Sequence, residues 1–291
     1  MKKDRVTLIA GFLPAAIMAI LFLLENLQKR GILPNRFWIA TAAEIILYLA
    51  PTVLLCILYA EEAPGKILRF RRATRKAGSL ILWISLTAAL LALLLNCSVS
   101  AVLGQGYYQN DNLFTDRAAE TFWQRLLLTL VIAPILEELF FRGVLFSSIE
   151  REGGVWPALL LSSVAFALLH GSPYQLAGAL AAGMIYGYLT YTLNSVLPAI
   201  FAHIINNGFS LLLQRSADAY STMGLWPYLL LVLSFFCFLF LALAMRALEK
   251  LIEEGKIRRF HYRSLRTTLE NIFVVPGFWL LLILFLVRVL Y

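Results

Sequence analysis

The sequence predicts an all-α fold, a polytopic membrane helix bundle of eight to nine transmembrane helices, and three observations carry that expectation. Apolar residues fill 60% of the 291 positions against 14% charged, and the mean hydropathy is +0.78, a balance that no single water-soluble domain accommodates. The apolar residues gather into nine runs, most of them long enough for the roughly 20 helical residues that cross a hydrocarbon layer. The basic residues that give the net charge of +8 lie between these runs and not on one amphipathic surface. That distribution points to anionic lipids at the basic loops as partners and away from nucleic acid.

The runs are residues 6–24, 38–59, 79–102, 122–148, 155–170, 174–193, 196–214, 226–247 and 272–290. The first follows Lys2, Lys3 and Arg5 in the manner of a secretory signal. It runs on into Glu25 without a small-residue cleavage pattern, so it reads as a retained helix. The fifth is barely long enough to span. Residues Gly104 to Asn112, with Tyr107, Tyr108 and Asp111, read as an external loop of turn formers. In the segment 246–271, Leu248, Leu251, Ile252 and Ile257 mix with Glu253, Glu254 and Arg258 as in an interfacial amphipathic helix. His261 in the same segment reads as exposed. Cys56, Cys97 and Cys237 fall inside apolar runs without metal or redox spacing and read as packing residues. Three units follow: 1–77, two helices and a basic loop; 78–248, a core bundle; and 249–291, a basic segment and the last helix.

Positive charges near helix ends stay cytoplasmic. With the N-terminus inside, one side collects Lys2, Lys3, Arg5, the 66–76 cluster, Arg151 and the basic residues of 246–266. The other side has Lys29, Arg30, Arg36, Arg117, Arg125, Arg215 and Arg288. The expected topology is a cytoplasmic N-terminus and, with nine spans, an external C-terminus.

Against this background two adjacent carboxylates, Glu137 and Glu138, stand inside the fourth run. An ionisable group in hydrocarbon costs a few kcal/mol at least, so it persists only where it meets a partner or water. Neighbouring helical residues point about 100° apart, whereas residues four apart share a face. Glu138 and Arg142 therefore pair along one face, and Glu137 points elsewhere. Phe166 and His170 are four apart on the fifth run, and His203 and Asn207 on the seventh.

The fourth and fifth runs form a hairpin turning near Arg151 to Gly154. Glu137 and His170 are equidistant from its centre, both about 25 Å away at 1.5 Å per residue, so they can face each other at one depth. His203 lies only about 12 Å from its own turn at Asn194 and Ser195, which leaves a gap of about 12 Å for straight helices. The gap closes if the fifth helix tilts or stops early at Gly171, Ser172 and Pro173. A backbone break at that depth requires buried protein or a water-filled cavity around it. Singly, each polar group has a structural explanation, as an ion pair, a helix-terminal histidine or interhelical hydrogen bonding. Their concentration in four consecutive spans, with the other five nearly free of such groups, points to a functional site.

The run Glu137-Glu138-Leu139-Phe140-Phe141-Arg142-Gly143, then Phe166 with His170, then His203 with Asn207, resembles in order and spacing the three motifs of the CAAX protease and bacteriocin-processing (Abi) family of intramembrane endopeptidases. The resemblance covers residues 137–207; the first two spans, the ninth and the basic loops lie outside it. It implies a helical bundle around a polar intramembrane chamber and a membrane-associated protein or peptide as substrate. It implies Glu137 as the base that activates water, assisted by His170, with His203 and Asn207 donating to the oxyanion. Glu138, Arg142 and Phe166 would support them. No cofactor is expected. A zinc version would instead use Glu137, His170 and His203 as ligands with an open position for water. Outside the enzymes, a non-catalytic bacteriocin self-immunity or peptide-binding protein would use the same chamber. The single polar cluster and the missing repeat argue against a transporter.

Overall fold

The computed structural model describes residues 2–34, 36–59, 64–103, 121–222, 225–258, 260 and 275–290. Among them run nine long helices: α1 (Lys2–Lys29), α2 (Phe37–Leu58), α3 (Gly78–Val102), α4 (122–153), α5 (Val155–Leu169), α6 (Pro173–Leu193), α7 (Leu197–Thr222), α8 (Trp226–Glu253) and α9 (Pro276–Leu290). Five stretches, in α1, α2, α3, α6 and α8, are long and apolar enough to cross a membrane, and three shorter apolar helices accompany them. The surface has the matching character: Trp38, Tyr228, Leu231 and Phe238 are each about 70% exposed, as expected where the solvent is lipid. The protein is an integral, multi-pass membrane protein. The expected external loop at 104–112, and His261, lie outside the described residues.

In hydrocarbon every backbone and hydroxyl group needs an internal partner. Thr41, Thr52, Ser85, Thr87, Ser148 and Thr190 each donate to the carbonyl four residues back on their own helix. Such hydroxyls sit within apolar helices without an unsatisfied donor. Helix ends fall where the sequence supplies the required backbone. Thr121 caps α4 through a reciprocal box with Gln124. Gly154, at φ 87°, turns α4 into α5, and Asn194, at φ 48°, ends α6.

The fourth helix is not uniform. Residues Leu128–Ile132 and Leu139–Leu145 are wound as π-helix, and the α-helical turn Ala133–Glu138 lies between them. Pro134 accounts for the first of these. It brings no N–H, and Ala133 N–H bonds back five residues to Leu128, so Thr129 C=O has no donor at either the α or the π spacing. Asn207 on α7 supplies one, its Nδ2 donating to Thr129 O at 2.9 Å. π-Bulges of this kind concentrate at functional sites, and here two of them bracket both glutamates.

The helix α3 packs against α6, α7 and α8; α5 packs on α6; α1 packs along α9; and α2 lies against the α-helical turn and second π segment of α4. Two arginines counted above as flanking charges belong instead to the interior. Arg69, 5% exposed, ion-pairs with Glu150, donates to Ser147 at 3.2 Å and lies 5.2 Å from the Phe146 ring. Burial lowers its pKa and the charge of Glu150 opposes the shift. Arg288 of α9 turns inward to form an ion pair with Glu25 of α1. The segment after residue 246 also differs from expectation. It continues α8 to Glu253, and Leu251 is buried with Ala77, Leu80 and Ala244, with Leu248 and Ile257 packed against them. Leu248, Leu251 and Ile257 thus serve helix packing, while Ile252 is exposed.

Candidate active site

Glu138 is wholly buried and so is Arg142. Arg142 Nη1 donates to Glu138 Oε1 at 3.2 Å, across the spacing of four that placed them together in the sequence. The same oxygen lies 2.9 Å from His203 Nδ1 on α7. Glu138 thus ties its own helix to the third motif. Breaking one side of such a pair leaves an uncompensated charge, at a cost of about 3–5 kcal/mol. The guanidinium of Arg142 is held among aromatic faces, 4.3 Å from the centroid of Phe166 and 5.5 Å from those of Phe141 and Tyr186. Gly183 leaves space for it, since a Cβ there would stand 2.9 Å from Arg142 Nη2.

Phe166 is the hub of this arrangement and more than a wall. Its ring makes edge contacts with His170 at 4.7 Å, with Phe141 at 5.3 Å and with His203 at 5.4 Å. One ring touching both histidines resolves the depth mismatch. His203 lies beside Phe166, one helical turn from His170, or about 5 Å along the axis, where straight helices would have left about 12 Å. The fifth helix does stop early, at Leu169, and Gly171 at φ 66° carries the chain into α6. His170 Nδ1 lies 2.8 Å from Phe166 O. A carbonyl only accepts, so the hydrogen belongs on Nδ1 and the lone pair on Nε2.

Glu137 points away from this group, as a one-residue step on a helix requires. Among the described residues no hydrogen bond joins it to His170. Its partner is Glu44 on α2, carboxyl to carboxyl. One turn beyond Glu44, Tyr48 lies against Phe140 and Phe141, at 6.1 and 6.0 Å between ring centroids. Asn207 makes its bond to Thr129 O, so part of the donor capacity expected for an oxyanion instead holds the π segment beside Glu137.

The polar groups are therefore not confined to four consecutive spans. Glu25, Glu44 and Arg288, from the first, second and ninth, lie in the interior as well. Glu44 is in the sequence as a lone carboxylate inside an apolar run, the kind of signal that singled out Glu137, and Glu25 stands just past the end of another. What hid them was that their interior partners, Arg288 and Glu137, lie on distant helices. Tyr186, wholly buried and stacked on His203 at 5.5 Å, gave a weaker sign: it stands between Gly183 and Gly187, the small-residue spacing that admits a close helix. Among the described residues no three His, Cys, Asp or Glu side chains gather as a metal site. His203 faces Glu138 and not Glu137.

Comparison with known proteins places this geometry in context. Residues 119–209 match the family model described as type II CAAX prenyl endopeptidase Rce1-like. Over 89 residues the chain is 29% identical to the "Putative membrane peptidase YdiL" of Bacillus subtilis (strain 168), a match covering 31% of this chain and 36% of that protein. The chain thus aligns with about a third of that relative's length. No solved structure matches. The matched residues contain both π segments, the Glu138, Arg142 and His203 contacts and the Phe166 hub, and over them the chain is similar to the CAAX protease family.

Proposed function

We propose that the protein is an intramembrane endopeptidase that hydrolyses a peptide bond of a membrane-associated protein or peptide, with Glu137 as the base that activates water. The observation that carries this reading is the division of labour between neighbouring carboxylates. Glu138 is committed to Arg142 and His203, whereas Glu137 has no basic partner among the described residues and is left for proton transfer. Among the described residues its hydrogen-bond partner is another carboxyl group, that of Glu44.

In the proposed reaction a water lies between Glu137 and His170. Glu137 takes its proton as the oxygen adds to the substrate carbonyl. His170, with its lone pair on Nε2, relays that proton to the departing amine, a transfer of the kind that contributes about 10²–10⁴ in rate. His203, whose Nδ1 hydrogen goes to Glu138, presents Nε2 toward the reacting group and donates there in the form that carries hydrogens on both ring nitrogens. Asn207, with one of its two amide hydrogens on Thr129 O, has one left to donate. Both would serve the oxyanion, where aligned donors give large rate contributions. We read the site as metal-free, with water activated by Glu137 and the Nε2 atoms of His170 and His203 serving proton transfer and the oxyanion. The basic loops would hold the chain to anionic lipid, with the N-terminus cytoplasmic.

Glu137→Gln tests the reading, since it keeps the shape of the side chain and removes the base. Membrane-proteome fragments from cells carrying wild-type protein are expected to include a set absent with the variant, and the missing fragments identify the substrate. If every fragment persists with Glu137→Gln, the proteolytic assignment fails. Should a biological activity persist while cleavage is lost, a peptide-binding role replaces it.

A further inference from the structure

The second helix lies outside the residues that match the family model, yet it brings a carboxyl to the one that the proposed reaction depends on. Glu44 is 6% exposed and sits on a face of α2 that buries Leu47, Tyr48, Pro51 and Leu55. That face packs on the Ala133–Glu138 turn and the second π segment. Tyr48, one turn on, is held by the rings of Phe140 and Phe141, which fixes the rotation of α2 and aims Glu44 at Glu137. The two side chains are hydrogen-bonded.

Among the described residues the other buried carboxylates meet arginines, Glu138 with Arg142 and Glu25 with Arg288, as does the partly buried Glu150 with Arg69. Among the described residues Glu44 has no cation. The groups facing the pair are Tyr48 on α2 and, on α4, Glu138 and Arg142, and Arg142 is bonded to Glu138. An ionised carboxylate only accepts, so two of them share a hydrogen bond only when a proton lies between them. A merely structural tie at this depth would be expected to use opposite charges, as the neighbouring pairs do.

We propose that Glu44 is a positioning residue for Glu137: the two form a carboxyl dyad holding one proton at rest, which fixes the Glu137 oxygen that faces water and buffers the proton taken up in the reaction. This inference rests on the proteolytic reading. At rest the dyad has one proton. Water gives it a second as its oxygen bonds to the carbonyl carbon. Collapse of the tetrahedral intermediate breaks the C–N bond, and a proton passes from the dyad through His170 to the amine. The products are an acid and an amine, and the dyad again holds one proton. Two carboxyl groups at contact distance do not both ionise readily, the behaviour that coupled dyads exhibit elsewhere.

The test uses full-length protein in lipid and combines infrared difference spectroscopy with turnover. Glu44→Gln keeps size and a donor toward Glu137 but cannot share a proton. Wild-type protein at neutral pH is expected to have a carbonyl-stretch band from a protonated carboxyl that changes in both Glu44→Gln and Glu137→Gln. With a substrate identified from the fragment comparison, Glu44→Gln is expected to lose roughly tenfold or more in kcat, with KM within about twofold. Its pH–rate profile is expected to change shape. An unaltered band in either variant, or wild-type kcat and pH profile in Glu44→Gln, overturns the dyad. If Glu44→Gln does not fold, the wild-type spectrum decides alone, and absence of a protonated carboxyl overturns it. A wild-type protein that cleaves nothing defeats the proteolytic reading instead, while the spectrum still decides whether the dyad exists.

Discussion

The motif helices α4, α5 and α7 and the outer helices α1, α2 and α9 both carry charge into the membrane interior, and they secure it in different ways. Within the motif helices each charge or histidine that is secured locally has a partner close in sequence, although Glu138 also reaches His203, 65 positions away. Arg142 reaches Glu138 across one turn, and His170 anchors on the carbonyl of Phe166, four residues back. In the outer helices the partners are remote: Glu25 pairs with Arg288, 263 positions away, and Glu44 meets Glu137 on a different helix. A charge secured within its own helix is tolerated before tertiary packing is complete. One that waits for a distant helix is tolerated only in the assembled bundle. The motif region should therefore hold its local geometry on its own, and the outer helices should fix the environment in which it works.

The largest expected effect breaks the local side of this contrast. Arg142→Met removes the cation beside a wholly buried carboxylate and leaves Glu138 with His203 alone, which should cost about 3–5 kcal/mol. The measurable result is a severe loss of folded protein in detergent. The double variant Glu138→Gln with Arg142→Met, which leaves no unpaired charge, should regain much of that yield. Equal yields for the single and double variants would mean that an uncompensated Glu138 charge is not what destabilises the single variant.

A smaller effect sharpens the remote side. Arg288 also lies against Gly171, since its guanidinium occupies the space where a Cβ would stand, and Nη1 is 3.7 Å from Met18 Sδ. The Glu25 pair thus braces the turn that follows His170. Glu25→Gln and Arg288→Met should each destabilise the fold, and a double-mutant cycle in thermal unfolding should give a coupling of about 1–3 kcal/mol. If the two effects simply add, the pair contributes nothing beyond its separate packing, and α9 does not brace the site through that contact.

This contrast also explains what the sequence could disclose. Helix periodicity is local, so the nine runs, the Glu138 and Arg142 pairing and the divergence of Glu137 were all legible from spacing. The early end of α5 could be read from Gly171, Ser172 and Pro173, and with it the approach of His203. Contacts set by the packing of separate helices leave no such trace. Nothing in the sequence pairs Glu25 with Arg288, and Arg288 read as a flanking charge because charge position along a chain says nothing of inward or outward rotation. Glu44 carried the same energetic anomaly as Glu137, but lacked an arginine four residues away to draw attention to it. The π segments were half legible: Pro134 announces a missing donor, while the donor that replaces it, Asn207, comes from another helix.

The smallest effect lies at the exposed rim, where the physics of the interior should be absent. Lys76 donates to Glu254 at 3.1 Å, and Lys256 lies 2.8 Å from the same oxygen. Hydrogen bonds from Lys256 and then Lys76 hold the Glu254 carboxyl down to about 2. A carboxyl depressed in the folded state stabilises above its unfolded value and loses that contribution as pH falls from about 4.5 toward 2. Lys76, raised by the Glu254 carboxylate to which it donates, acts in the opposite window and loses its contribution at high pH. Both groups are in water, where salt screens the attraction and ordering long side chains offsets it. Glu254→Gln should therefore leave the thermal midpoint at pH 7 nearly unchanged, and any small difference from wild type should vanish at pH 2 or in high salt. A loss comparable to that of Arg288→Met would place this rim pair with the interior pairs, and burial would no longer be what separates a charge that shapes the site from one that merely decorates it.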